Sequence, residues 1–280
     1  MISAPSTPKK SLGQNFLVDA NIARKIINSL ELSENELVLE IGPGKGILTQ
    51  ILSTLPIYYL GVEIDRTFQS LLRAIESHTR NKYFNVLFQD YLLLNESEWF
   101  EKFKQHILLV GNIPYYLTSS ILFKFIEQRE FYKKAVLMVQ REVANRIIAK
   151  PKTKDYGILS VLIQIFTHSE KLFDVPPSCF IPTPKVFSTV VKMEISKDMV
   201  NYANYQLLKL LVKLAFNRRR KVLLNSLFRR LNINEKIISK DEFLCEVASK
   251  RAEELNPNDF LTLVDKIKLL SLHYDKILFR

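Results

Sequence analysis

Three glycines stand at alternate positions in the segment LEIGPGKGILT, residues 39–49. Gly42, Gly44 and Gly46 lie where a short apolar run gives way to a helical pattern. Glycine lets the backbone turn sharply and come within contact distance of a ligand, and the amides that begin the following helix can donate hydrogen bonds to it. An ordinary tight turn between a strand and a helix also uses glycine, so the segment indicates a binding site only together with other residues.

Two acids supply that support. Glu63 ends the apolar run at 58–63, and Asp90 ends the run at 85–90. If these runs are strands, Glu63 can accept hydrogen bonds from both hydroxyls of a ribose, and Asp90 can meet the amino group of the attached adenine. Each acid alone could be a solvated residue at a strand end. With the glycines, the two acids predict a site for an adenosine-containing cofactor at the carboxyl edge of a sheet.

The spacing of the glycine loop differs from that of dinucleotide-binding proteins. Those proteins use G-x-G-x-x-G, whereas this loop reads E-x-G-x-G-x-G, with Glu40 before the first glycine. The pattern resembles the Rossmann-like class of S-adenosylmethionine-dependent methyltransferases. That resemblance implies S-adenosylmethionine as the cofactor, and a loop that holds its methionine portion and ribose instead of a pyrophosphate.

A polar turn follows the apolar run at 106–112 and could hold the methyl acceptor. The side-chain oxygen of Asn112 and the carbonyl of Ile113 can accept hydrogen bonds from both N–H groups of an exocyclic amine, which favours the pyramidal nitrogen that attacks a methyl group. Pro114 would direct that carbonyl inward, and Tyr115 offers a flat face on which an extruded base can stack. The same four residues could also form an ordinary turn with a packed tyrosine.

A second aromatic face for the base could come from the segment CFIPTPKV, residues 179–186. Its Phe180 lies in a loop that two following prolines, Pro182 and Pro184, stiffen. A buried phenylalanine beside prolines is also common core packing, so Phe180 alone indicates no site.

Alternation of short apolar runs with amphipathic stretches predicts the sheet that carries these residues. Each run is short enough to be a buried strand, which is typical of a doubly wound α/β sheet. The five runs are residues 37–41, 58–63, 85–90, 106–112 and 135–140. Residues 169–175 and 188–195 predict a closing antiparallel pair, and residues 19–30 predict a helix with Asp19 as its cap.

The strand signal disappears near residue 200, and helical patterns follow. We therefore predict a catalytic, S-adenosylmethionine-binding domain over residues 1–198 and a smaller, all-helical domain over residues 199–280. The chain of 280 residues has 40 Lys and Arg against 29 Asp and Glu, a net charge of +11. This excess favours a polyanionic partner such as nucleic acid over an acidic small molecule.

The basic residues concentrate in the segment FNRRRKVLLNSLFRRL, residues 216–231. Helical spacing there would place apolar residues on one face and let arginines project from the other, where they could follow RNA phosphates. A merely solvated helix face is the alternative. The predicted RNA-binding residues are Arg218, Arg219, Arg220 and Lys221. Lys9, Lys10 and the loop at 150–154 could extend the same surface.

Several classes of site and location are not indicated. Cys179 and Cys245 lie far apart, and the four histidines form no cluster, so no metal site is predicted. No apolar segment has the length of a membrane span or of a signal-peptide core. We therefore expect a cytoplasmic protein without a membrane partner.

The combination of motifs resembles the ribosomal RNA adenine N6,N6-dimethyltransferase family over nearly the whole chain. The matching segments are KKSLGQNFL (9–17), EIGPGKGILT (40–49), VEID (62–65), QD (89–90), NIPYY (112–116), FIPTPKV (180–186), NRRRKVLLNSL (217–227) and RAEELNP (251–257). The resemblance implies dimethylation of two adjacent adenosines in a hairpin near the 3′ end of 16S rRNA. The implied partner is a precursor of the small ribosomal subunit, and the implied state of the enzyme is a monomer.

Residue roles also follow from the resemblance. Asn15 and Leu17 would contact the cofactor, with Gln14 and Phe16 closing over it. Tyr115 and Phe180 would stack on the target base. The remaining cofactor positions implied by the family are Gly42, Glu63, Asp90 and Asn112.

The chain departs from the family at the polar turn, where the usual sequence is Asn-Leu-Pro-Tyr-Asn and this chain has Ile113 and Tyr116. Tyr116 narrows the pocket or adds an aromatic ring, which leaves the balance of first and second methylation open. Two other functions remain as alternatives. One is the related methylation of large-subunit rRNA that confers macrolide resistance, and the other is a non-catalytic RNA-binding assembly factor.

Overall fold

The computed structural model describes residues 15–273. The predictions for Lys9, Lys10 and Gln14 therefore lie outside the described residues. Among residues 15–273 no helix is both long and apolar enough to cross a membrane.

A seven-stranded sheet forms the centre of the amino-terminal part of the chain. Its strands are β2 (Leu37–Ile41), β3 (Tyr58–Val62), β4 (Tyr83–Leu87), β5 (Ile107–Asn112), β6 (Tyr132–Gln140), β7 (Thr167–Val175) and β9 (Ser188–Ile195). Their order is β4-β3-β2-β5-β6-β9-β7, with β2 to β6 parallel and both pairs that involve β9 antiparallel. The predicted doubly wound sheet and its closing antiparallel pair are confirmed.

The carboxyl ends of the central strands lie side by side. Ile41, at the end of β2, is in register with Val62 of β3 and with Gly111 of β5, and Val62 is in register with Leu87 of β4. The order of the strands reverses between β2 and β5, which is where open α/β sheets form a ligand crevice. This register brings the segments that follow these strands to one edge of the sheet.

Two short strands, β1 (Phe16–Leu17) and β8 (Phe180–Ile181), form a separate antiparallel pair. The helices of the amino-terminal part are α1 (Ala20–Asn28), α2 (Ile47–Leu52), α3 (Gln69–Glu76), α4 (Glu96–Phe103), α5 (Thr118–Glu127) and α6 (Arg141–Ile148). The predicted cap of the first helix is confirmed, because the Asp19 carboxylate accepts hydrogen bonds from the backbone N–H groups of Asn21 and Ile22 at 2.8 and 3.1 Å.

The remaining helices are α7 (Ile158–Phe166), α8 (Tyr205–Phe216), α9 (Glu235–Ile238), α10 (Glu242–Ala248) and α11 (Pro257–His273). The structure divides into a first compact unit, residues up to 144 together with 167–195, and a second unit, residues 145–166 together with those from 196 onward. The prediction had placed 145–166 in the catalytic domain, and the structure places this segment in the second unit.

Hydrogen bonds explain the placement of residues 145–166. The Tyr156 hydroxyl donates to the carbonyl of Leu255 at 2.9 Å, and the N–H of Lys152 donates to the carbonyl of Glu253 at 2.7 Å. Such contacts join segments that are distant in sequence, so helical periodicity alone could not reveal them.

The basic segment of the second unit is not one continuous helix. Helix α8 ends at Phe216, residues 217–220 form a turn, and a π-helical turn follows at Leu224–Phe228. Between them Val222 forms an antiparallel bridge with Arg251. This backbone pairing competes with helical hydrogen bonds, so the predicted helical face for the arginines was wrong.

Candidate active site

The first unit contains an open cavity of about 840 Å³ at the carboxyl edge of β2, β3 and β5. Predicted site residues make up a large part of its wall. Those that line the cavity are Asn15, Gly42, Glu63, Asp90, Asn112, Ile113, Pro114 and Tyr115. The fold thus brings the predicted cofactor residues and the predicted acceptor turn to the same cavity.

The glycine loop leaves space for a ligand at its first position. Gly42 has a φ of 63°, and a Cβ atom at this position would meet no other atom within 4 Å. Gly44 has a φ of 53°, and its Cβ would come within 3.1 Å of the Phe16 ring. The positive φ values require glycine, and the open space at Gly42 fits a cofactor that lies directly on the backbone.

Glu63 is 4% exposed and is held by two backbone groups. Its Oε2 accepts a hydrogen bond from the N–H of Gly44, and its Oε1 accepts one from the N–H of Asp65, both at 2.8 Å. Burial raises the pKa of Glu63, while the two backbone hydrogen bonds oppose the rise. A carboxylate has about four acceptor positions, so acceptor capacity remains for a hydroxyl of a ribose.

The run at 85–90 had predicted Asp90 as the last residue of a strand. In the structure β4 ends at Leu87, and Asp90 lies three residues beyond it. Its Oδ1 accepts a hydrogen bond from the N–H of Leu92 at 2.8 Å and so caps a short 3-10 turn, Tyr91–Leu93. The strand ends early because the chain turns here, and the cap fixes the orientation of the carboxylate at the cavity wall.

Asn112 ends β5, and one hydrogen bond sets its amide. The Nδ2 group donates to the backbone carbonyl of Asn15 at 2.8 Å. This leaves Oδ1 as the atom that can accept a hydrogen bond from a base amine. The sequence had suggested this function for Asn112, but the contact that orients its amide comes from a residue at the other end of the domain sequence.

The rest of the acceptor turn is also fixed by its neighbours. The Ile113 side chain is buried, and its N–H donates to the carbonyl of Met138 at 3.4 Å. The Tyr115 hydroxyl is 3.1 Å from the hydroxyl of Ser188 in β9. Tyr116 is 58% exposed and lines the cavity, so its ring is available to a large substrate.

Two predicted residues do not line this cavity. Phe180 is 1% exposed and packs in the hydrophobic core of the first unit. Leu17, its neighbour in the β1–β8 pair, lines a smaller cavity of about 310 Å³ together with Gly42 and Asn112. Strand pairing places Phe180 in the core, and its stacking on a base stays a prediction.

Glu40, the acid before the glycines, lies beneath the loop. Its Oε2 accepts hydrogen bonds from the hydroxyls of Thr49 and Tyr59, both at 2.8 Å. Burial raises the pKa of Glu40 to about 7. The carboxyl links β2, β3 and α2 below the cavity, which is a supporting function.

The predicted RNA-binding residues occupy the turn of the second unit. Arg218, Arg220 and Lys221 are exposed. The Nε of Arg219 instead pairs with Glu253 at 2.5 Å, and its NH2 group donates to the carbonyl of Thr153 at 3.1 Å. These internal contacts occupy much of the Arg219 guanidinium, and RNA binding by the four residues stays a prediction.

Sequence reasoning missed part of the cavity wall. Ile64, Tyr91, Leu92 and Ile121 line it without having been predicted. Ile64 and Tyr91 directly follow predicted acids, and this adjacency could have indicated them. Ile121 lies inside a helix whose apolar pattern gives no sign of a binding site.

The chain matches the family described as ribosomal RNA adenine dimethylase over residues 6–268. A ribosomal RNA small subunit methyltransferase A from Alkaliphilus oremlandii is 42% identical over 223 residues, which cover 78% of this chain and 76% of that protein. A protein of the same name from Chlorobium phaeobacteroides is 40% identical over 266 residues, with 94% and 92% covered.

Two solved structures share the fold over most of the chain. A dimethyladenosine transferase from Plasmodium falciparum has a TM-score of 0.76 and 29% identity, and the likeness covers 91% of this chain and 98% of that one. The 23S rRNA methyltransferase ErmE has a TM-score of 0.65 and 25% identity, with 90% and 99% covered. The resemblance seen in the motifs is thereby confirmed. The chain belongs to the ribosomal RNA adenine dimethylase family, enzymes that transfer methyl groups from S-adenosylmethionine to adenines of ribosomal RNA.

Proposed function

We propose that this enzyme dimethylates two adjacent adenosines in a hairpin near the 3′ end of 16S rRNA. The observation that carries the proposal is the shared cavity, in which Glu63 and Asp90 face the same space as the turn from Asn112 to Tyr115. We further propose that the enzyme acts as a monomer in the cytoplasm on a precursor of the small subunit. The names of two relatives, both ribosomal RNA small subunit methyltransferase A, support the choice of the small subunit.

One set of cavity residues would bind the methyl donor, and a second set would bind the methyl acceptor. S-Adenosylmethionine, when bound, supplies a methyl group on a sulfonium that a nitrogen can attack. Glu63 would accept hydrogen bonds from the ribose hydroxyls of the bound cofactor, and Asp90 would accept one from its adenine amino group. Both acids fix the position of the donor, and alignment of this kind lowers the barrier without a general base.

The acceptor turn prepares the target nitrogen. Asn112 Oδ1 and the Ile113 carbonyl accept hydrogen bonds from the two hydrogens of N6, which favours a pyramidal nitrogen with its lone pair directed at the methyl group. Tyr115 stacks on the extruded base, and its hydroxyl contact with Ser188 holds the ring in place. The nitrogen releases its proton to water after it has become cationic.

Methylation of large-subunit rRNA is the second candidate, because ErmE, a 23S rRNA methyltransferase, has the same fold. Incubation with unmethylated small and large subunits, followed by mass analysis of the nucleosides, separates the two. We expect N6,N6-dimethyladenosine in 16S rRNA alone. Product in 23S rRNA alone would show that the proposed substrate is wrong.

The exposed cations of the turn should contribute to RNA affinity. We expect the double substitution Arg218→Ala/Arg220→Ala to weaken rRNA binding. The slope of log affinity against log salt concentration should become shallower by an amount that corresponds to about two phosphate contacts. Filter binding over a series of salt concentrations measures both quantities. Arg219→Ala is the matched comparison, because its ion pair with Glu253 predicts a lower Tm with nearly the same salt slope. Equal salt slopes for the double variant and the wild type would assign these arginines to a solvated surface only.

Tyr116 should affect the second methylation more than the first. An exposed ring at the cavity can stack on a base of the substrate, a contact worth about 1–3 kcal/mol. We therefore expect Tyr116→Asn to release more singly methylated product, so that the ratio of N6-methyladenosine to N6,N6-dimethyladenosine rises. Nucleoside mass analysis at partial conversion measures the ratio. Tyr116→Phe keeps the ring and should resemble the wild type, whereas a high ratio in this variant would contradict stacking.

A further inference from the structure

A chain of polar side chains runs beside the cavity, and the chemistry described above uses none of their polar groups. The hydroxyls of Tyr91 and Tyr132 are 2.9 Å apart, and the Tyr132 hydroxyl donates to Oε1 of Glu96 at 2.9 Å. The Lys124 ammonium is 3.3 Å from Oε2 of Glu96. We call these four residues the Glu96–Lys124 network.

The network is buried. The side chains of Glu96 and Lys124 are 1% and 14% exposed, and both tyrosines lie in the core. Burial of charged groups is costly, and replacement by apolar residues of similar volume is often neutral or stabilising. A function in fixing local geometry would account for a buried ionic network at this position.

Lys124 holds the backbone of the segment after Asp90. Its Nζ donates to the carbonyls of Leu92 and Leu94, at 3.1 and 2.6 Å. Asp90, Tyr91 and Leu92 all line the cavity. We call residues 90–94 the cofactor-side wall. Lys124 fixes the backbone of this wall by two charge-assisted hydrogen bonds.

Lys124 is also connected to the acceptor turn. It lies in α5, the helix that begins directly after the turn at residues 112–117. At the start of α5 the Thr118 hydroxyl donates to the carbonyl of Pro114 at 3.2 Å. An α-helix is a stiff element with a fixed rise of about 1.5 Å per residue, so α5 connects the acceptor turn rigidly to Lys124.

We propose that the Glu96–Lys124 network positions the cofactor-side wall at a fixed distance from the acceptor turn, and so aligns the methyl donor with the target nitrogen. The inference rests on the proposed function in one respect, the assignment of residues 112–117 to the target base. Lys124, Glu96 and Tyr132 are positioning residues, because they act through the backbone of residues 90–94 and through Tyr91.

Binding of S-adenosylhomocysteine tests the proposal without any rRNA. We expect Lys124→Met to raise its Kd by about tenfold, since two hydrogen bonds from a charged group to the cofactor-side wall are lost. Tyr132→Phe removes one hydroxyl and leaves no charge unpaired, so it should fold normally and raise the Kd by a smaller factor. Isothermal titration calorimetry measures both values. Lys124→Arg keeps the charge and the donors and should restore part of the affinity.

Two further measurements distinguish positioning from stability. Amide hydrogen exchange at Leu92 and Leu94 should accelerate in Lys124→Met. At saturating S-adenosylmethionine, kcat should fall while the KM for rRNA stays nearly unchanged, because the RNA surface is intact. Lys133→Met is the matched control, since Lys133 forms an exposed ion pair with Glu36 in the same unit and should leave both binding and kcat unaltered.

The proposal would be overturned if Lys124→Met and Tyr132→Phe lowered only the Tm. Unchanged Kd, kcat and exchange rates would make the network a stabilising feature and no more. A wild-type enzyme that bound S-adenosylhomocysteine but methylated neither ribosomal subunit would instead contradict the proposed function. In that case, calorimetry and hydrogen exchange would still show whether the Glu96–Lys124 network positions the cofactor-side wall.

Discussion

Replacement of Asn112 by alanine should lower kcat for methyl transfer by about a hundredfold to a thousandfold, the usual loss when a preorganised hydrogen-bonding group of an active site is removed. The variant loses the Oδ1 acceptor for the target amine. It also loses the hydrogen bond from Nδ2 to the Asn15 carbonyl, so the segment before α1 is less firmly held. Transfer of radiolabelled methyl groups to unmethylated small subunits measures the rate.

Affinity for rRNA should remain close to the wild-type value in Asn112→Ala, because Asn112 lines the cavity of the first unit and the exposed arginines lie in the second. Asn21→Ala is a matched control, since the exposed Asn21 amide oxygen accepts a hydrogen bond from nearby Arg24 at 3.3 Å and lies off the cavity wall. Its kcat should be unchanged. Full dimethylation by Asn112→Ala at the normal rate would show that the acceptor turn does not activate the amine.

The second large effect is expected at Glu63. We expect Glu63→Ala to raise the Kd for S-adenosylmethionine by about a hundredfold, because hydrogen bonds between the ribose and a charged acceptor are lost. The substitution also leaves the N–H groups of Gly44 and Asp65 without their present acceptor, so the glycine loop becomes less ordered. Calorimetry with S-adenosylmethionine or S-adenosylhomocysteine measures the change.

The pH dependence of binding gives an independent check on Glu63. Burial raises its pKa, so the carboxyl takes up a proton at a higher pH than a solvated glutamate would. Protonation removes acceptor capacity, and cofactor affinity should therefore fall as the pH decreases through the raised pKa. Glu63→Gln keeps the volume but cannot ionise, so it should bind more weakly at neutral pH and show little of this pH dependence. A wild-type affinity that rose as the pH decreased would contradict hydrogen bonding to an ionised Glu63.

Local sequence patterns were sufficient to predict the strands of the sheet. The predicted strands at 37–41 and 188–195 coincide with β2 and β9, because short runs rich in apolar and β-branched residues are visible in any single sequence. The carboxyl ends of parallel strands meet at one edge, so the grouping of Gly42, Glu63 and Asn112 also follows from the order of the strands.

Longer-range contacts decided where single residues lie. The same proline-rich loop could place Phe180 on a base or in the core, and the pairing of β8 with β1 placed it in the core. Arg219 and Arg220 are adjacent and chemically identical, yet only Arg219 has Glu253 within reach for the ion pair described above. Neither outcome has a local signal, because the partner comes from a distant part of the chain.

The fold class was readable in the sequence, since it depends on apolar runs that recur at short intervals. The cofactor followed from a resemblance of motifs to a known family, and the acceptor chemistry stays a prediction from the residues of one turn. Tertiary structure alone decided how these parts are held. The amide orientation of Asn112, the assignment of residues 145–166 to the second unit and the Glu96–Lys124 network all depend on contacts across many residues. Such contacts form only when the chain has folded, and for that physical reason no pattern of neighbouring residues predicts them.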